Sequence, residues 1–170
     1  VICDANALIT ACKFTVDREL LVDILLRSCQ VWLPQSVATE ATENRQFPDA
    51  QAAVQRIQQG LLTVETPMTP VPTFLREYRI GAGETEAICL YLSKRGEIDY
   101  LVTDDKLVYL ICDRMGIPKK LLPDLILELV RRDQLSKDQA QRMIEGARSR
   151  YSAGIIAHSK ALVEEVPPHG

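Results

Sequence analysis

Histidine is almost missing from this 170-residue chain: the two present, His158 and His169, both fall in its tail. Without imidazoles in the main body, neither a His-rich zinc site nor a His-dependent triad can be built there. Paired cysteines are missing too. Cys3, Cys12, Cys29, Cys89 and Cys112 are odd in number, show no C-x-x-C spacing and each sit in an apolar run. That pattern reads as reduced core cysteines in a reducing, cytoplasmic setting. No stretch approaches the roughly 18 uninterrupted apolar residues of a membrane span. The first residues read as a strand and a helix rather than a secretory signal. Aromatics are few, with five Tyr, three Phe and one Trp, so base stacking is not signalled as a main mode of nucleic-acid binding. A P-loop is absent, and the lone GAG at 81–83 lacks both the third glycine and the leading strand of a dinucleotide-binding turn.

What is present is ordinary for a globular domain: 46% hydrophobic and 25% charged residues, enough chain for one real core. The net charge of −3 conceals an asymmetry, because residues 114–160 carry ten Lys and Arg against five Asp and Glu. Acid gathered in one part and base in another suits a metal ion plus a phosphate backbone, although a solvated helical face would also explain the basic part.

Short apolar strands are expected near 1–4, 31–34, 61–65 and 100–103. Helical patterns follow them at 5–13, 17–29, 36–43, 48–60, 84–94 and 105–115, with Ser36 as a cap and Pro48 as an opener. Residues 66–72 (TPMTPVP) read as a loop. Three more helices are expected near 122–133, 137–149 and 153–165. The alternation predicts an α/β fold of three layers, α/β/α, with a central parallel sheet of four or five strands and added C-terminal helices. The division expected is a domain over 1–120 and a helical extension over 121–170, packed on that domain or at an oligomer interface.

In such sheets ligands bind beyond the carboxyl ends of the strands. Acidic residues collect there. Asp4 ends the first strand in VICDANALI, Glu40 lies in the helix after the second strand, Glu84 and Glu86 open a helix in GAGETEAICLY, and Asp104 and Asp105 end the fourth strand in LVTDDKLVYL. Each has a plain reading as helix cap, dipole partner or solvated charge. Gathered in one cleft they would repel, by roughly 4 kcal/mol for two charges 4 Å apart at an effective dielectric near 20. Oxygen donors alone favour a hard ion, Mg²⁺ or Mn²⁺, as the compensating charge. One or two such ions would support phosphodiester cleavage. The adjacent aspartates then divide the work, one capping a helix and the other facing the metal.

D-x-N near the amino terminus, P-x-x-V-x-x-E after strand two, G-x-G-E-x-E-A-I opening a helix and T-D-D after a strand, in that order, resemble the PIN domain. That is the metal-dependent ribonuclease fold of VapC-like toxins. The resemblance covers roughly residues 1–120. It implies a Mg²⁺- or Mn²⁺-dependent endoribonuclease in which Asp4, Glu40, Glu86 and Asp105 form the catalytic, metal-binding set. Glu84 and Asp104 compete as ligands, Asp104 as an auxiliary or capping acid, and Asn6 and Thr103 are polar supports. It further implies an RNA substrate and a toxin paired with an antitoxin protein. A homo-oligomer, a dimer, is also expected. Arg131, Arg132, Arg142, Arg148 and Arg150 are candidates for an RNA path, since phosphate contacts need mainly positive charge. A haloacid-dehalogenase-like phosphatase would need Asp two residues after Asp4, where this chain has Asn6. The remaining rival is a catalytically silent PIN-like module that binds RNA or protein.

Overall fold

The structure is a computed structural model and describes residues 1–167. His169 therefore lies outside the described residues. Five short strands form one parallel sheet: β1 (Ile2–Cys3), β4 (Val31–Pro34), β5 (Leu62–Glu65), β6 (Leu101–Val102) and β7 (Lys119–Lys120), in the order β5-β4-β1-β6-β7. Alternate strand residues feed opposite faces, as the two-residue period demands. Ile2 and Leu101 enter one apolar cluster, and Cys3 and Val102 the other.

The first cluster is closed by α5 (Ala82–Ser93) and α6 (Lys106–Met115), which contribute Ile88, Leu90, Val108 and Ile111. The second takes α1 (Ala5–Lys13), α2 (Leu21–Ser28), α3 (Gln35–Thr42) and α4 (Pro48–Gln58). It also takes α7 (Leu122–Arg131), α8 (Lys137–Gly146) and α9 (Ala153–Glu165), so Leu125, Leu129, Met143, Ile144 and Val163 share a core with Leu8 and Leu33. Helices on both faces of a parallel sheet make the three layers expected. The C-terminal helices belong to the main core. Among the described residues no helix is long and apolar enough to cross a membrane.

Three local expectations are corrected. The run 17–29 is not one helix: Thr15–Val16 (β2) and Glu19–Leu20 (β3) form a hairpin whose turn residues Asp17 and Arg18 have φ of 52° and 71°, and α2 begins only at Leu21. The left-handed turn matches the strand twist and leaves those residues unavailable to a helix. Ser36 does not cap α3, because Pro34 holds the extended cap position and Ser36 already lies inside the helix. The pair Lys119–Lys120, too polar to read as a strand, is held as β7 at the sheet edge by β6.

The chain turns from β1 to β4 and β5 on one side, then crosses to β6 and β7 on the other. β1 and β6 are therefore neighbours at a switch point, where a parallel sheet opens a crevice at its carboxyl edge.

Candidate functional site

Asp4 leaves β1 into that crevice. Its extended backbone makes it the N-cap of α1, where Oδ1 accepts the Ala7 N–H at 2.7 Å and meets one of the orphan donors of the first turn. Oδ2 accepts the backbone N–H of Asp104 at 3.2 Å, and the Thr103 hydroxyl also donates to the carboxylate. The side chain is only 1% exposed. Burial pushes its pKa up to about 6, against the pull of the Ala7 and Thr103 hydrogen bonds and with a further push from the charge of Asp104. Thr103 is fully buried; it donates to Asp4 while its oxygen accepts the Asp105 N–H at 3.1 Å.

The two adjacent aspartates have different partners. Asp105 is the N-cap of α6, with Oδ1 on the Val108 N–H at 2.9 Å, and Gly116 closes the helix at φ 63°. Asp104 gives its backbone N–H to Asp4 and its side chain to Tyr151. Its Oδ2 accepts the Tyr151 hydroxyl at 2.8 Å, while Oδ1 is buried without a hydrogen-bond partner. The Leu122 N–H lies near enough to temper the charge, but no well-aligned bond reaches Oδ1 among the described residues. Burial raises the Asp104 pKa, and the Tyr151 hydroxyl holds it back. Tyr151 in turn is pushed far up by its own burial and by the Asp104 carboxylate, so it stays a phenol and a proton donor.

A second acidic pair comes from α3 and α5. Glu40 has its pKa raised by partial burial and then by the charges of Glu84 and Glu43. The close approach that makes this pair depends on glycine: a Cβ at Gly83 would stand 3.2 Å from Val37 Cγ2 and 3.6 Å from Glu40 Oε2. Glu86 is engaged elsewhere. Its Oε2 accepts the Ser36 N–H at 3.0 Å, capping α3 from a helix fifty residues away where Pro34 offers no side-chain cap.

The five arginines do not form one path. Arg131 and Arg132 pair with Glu128, and Arg132 also reaches Asp99 and Tyr100, which precede β6 rather than follow it. Arg142 bonds Asp17 and Asp138, and Arg148 bonds Glu145. Arg150 alone is tied to the acidic edge. Its Nε donates to Thr10 Oγ1 at 3.2 Å and an Nη to Asn6 Oδ1 at 3.5 Å, which places Asn6 as an anchor for Arg150. Tyr151 and Thr10 were not legible as site residues, because their partners Asp104 and Arg150 lie 47 and 140 residues away in sequence.

Among the described residues no three Asp, Glu, His or Cys side chains surround one point. The Asp4–Asp104 pair nonetheless fits a divalent cation by its chemistry: two carboxylates of raised pKa, all-oxygen donors, and one buried oxygen without a partner. Mg²⁺ commonly takes one or two carboxylates, keeping its other positions for water and substrate phosphate.

A family model described as a PIN domain matches residues 1–165. No curated protein and no solved structure matches the chain.

Proposed function

Because the chain belongs to the PIN domain family, a nuclease-type fold, we propose that it is a Mg²⁺- or Mn²⁺-dependent endoribonuclease. The observation that carries this reading is the buried Asp4 beside the half-buried Asp104, whose Oδ1 is buried without a well-aligned partner, at the sheet's switch point. A buried polar atom without a partner costs free energy, and a site that binds a cation is a reason to retain it.

In this reading Asp4 and Asp104 hold the ion, and Glu40 and Glu84 form a second acidic pair on α3 and α5. Glu86 caps α3, the helix that carries Glu40, and Asp105 caps α6 directly after Asp104. When bound, the cation supplies Lewis acidity and offsets charge on the scissile phosphate. The Thr103 hydroxyl keeps the Asp4 carboxylate oriented and favours its charged form, offsetting part of the effect of burial. The Glu40 carboxylate, beside Glu84, would take the proton of an attacking water. Arg150, anchored on Thr10 and Asn6, keeps guanidinium donors for a phosphate oxygen of the RNA. The resemblance to VapC-like toxins suggests the toxin of a two-protein module, whose neutralising partner would act by covering this edge.

The test is cleavage of end-labelled single-stranded RNAs by purified protein with Mn²⁺, Mg²⁺ or EDTA, with Asp4→Asn in parallel. Cutting that needs the metal and is lost in the variant is the expected result. A folded wild type that binds RNA and cuts none of it with either ion would leave a binding module in place of the enzyme.

A further inference from the structure

We propose that Tyr151 is a positioning residue of the acidic site: its phenol fixes the Asp104 carboxylate by Oδ2 and leaves Oδ1 for a divalent cation that Asp4 would share. The inference rests on the metal-dependent reading above. It starts from an imbalance at Asp104. Oδ2 accepts the Tyr151 hydroxyl at 2.8 Å, whereas no well-aligned hydrogen bond reaches Oδ1 among the described residues, the Leu122 N–H only tempering the carboxylate's charge. A carboxylate held by one oxygen has its other oxygen aimed. A metal ligand aimed in advance loses less freedom on binding than one that must be ordered then.

Tyr151 is well placed to do this. It follows the 3-10 turn Arg148–Arg150 after α8, and its ring packs against the larger apolar cluster. Arg150 fastens the same turn to Thr10 and Asn6 of α1, the helix that Asp4 caps. The turn is thus tied to both walls of the crevice: to the β1–α1 junction through Arg150, and to the end of β6 through Tyr151. The C-terminal helices, which supply bulk to the core, in this way also deliver a group to the site.

The experiment measures Mn²⁺ affinity of the full chain by electron paramagnetic resonance. Wild type is compared with Tyr151→Phe, Tyr151→Leu, Asp104→Asn and the Tyr151→Phe/Asp104→Asn double variant, with folding checked by near-ultraviolet circular dichroism. Tyr151→Phe is expected to bind Mn²⁺ about tenfold more weakly, the size of a lost outer-shell hydrogen bond. Tyr151→Leu should match it in affinity although less stable, because the hydroxyl and not the ring carries the effect. The double variant should bind no more weakly than Asp104→Asn, since Tyr151 acts through that carboxylate. Wild-type affinity in Tyr151→Phe, or an additive loss in the double variant, would overturn the inference alone. A wild type that binds no Mn²⁺ would overturn the metal-dependent reading and this inference with it.

Discussion

At the scale of single residues, the free energy of the site is set by a carboxylate that the fold makes costly. Asp4 has a folded pKa of about 6, above the ordinary value of 3.8, so folding favours its neutral form. Its contribution to stability is fully present below about pH 3.8 and is lost as the pH rises through 6, by roughly 3 kcal/mol for a shift of this size. Asp4→Asn keeps the cap oxygen for Ala7 and removes the charge. Its unfolding free energy, from urea titrations between pH 4 and 7.5, should lack that decline. Mn²⁺ at pH 7.5 should raise the melting temperature of wild type and leave that of Asp4→Asn unchanged. Arg150→Ala should weaken RNA binding across sequences and reduce the salt slope of log K by about one, with Mn²⁺ affinity unaltered. The acidic residues themselves were legible, because strand ends of an α/β pattern are where ligands bind. Which of two adjacent aspartates caps α6 was not. That choice depends on the path of the chain leaving β6 and on Tyr151, to which no local sequence signal points.

At the scale of elements, caps and glycines place the carboxylates. Asp105 starts α6, and Asp105→Ala should cost about 1 kcal/mol of stability through the lost cap. Asp105→Asn should cost almost nothing, since Asn caps as well as Asp, and urea unfolding of the two variants separates these outcomes. Most helices were visible as apolar periodicity ended by Gly or opened by Ser or Pro: α4 begins at Pro48, α8 is capped by Ser136, and α6 ends at Gly116. The β2–β3 hairpin was hidden because Leu20 and Leu21 fit a helical stripe equally well, while Asp17 and Arg18 give only a weak turn signal without glycine. The cap of α3 was hidden for a different reason. Glu86 reaches Ser36 across fifty residues, and a cap supplied from another helix leaves no mark near Pro34.

At the scale of the whole molecule, the sheet order brings β1 beside β6, and the last three helices complete the core on which both rest. Leu125, Ile126, Leu129, Met143, Ile144 and Val163 are buried in the same cluster as Cys3 and Leu8. Residues 1–120 alone would expose that surface. Such a fragment should lose near-ultraviolet circular dichroism and cooperative melting. The alternation of strands and helices made the three-layer architecture legible. The role of the C-terminal helices was less so, because an amphipathic stripe such as Leu122–Val130 shows that a face is buried and not what buries it. The most direct measurement for the site as a whole is the rate of Mn²⁺-dependent RNA cleavage by Asp104→Asn and Asp105→Asn, side by side with wild type. Expected is a loss of on the order of 100-fold or more in Asp104→Asn, beyond what outer-shell changes cost, with Asp105→Asn within a few-fold of wild type. Equal rates in wild type and Asp104→Asn would contradict the Asp4–Asp104 pair as the seat of the chemistry.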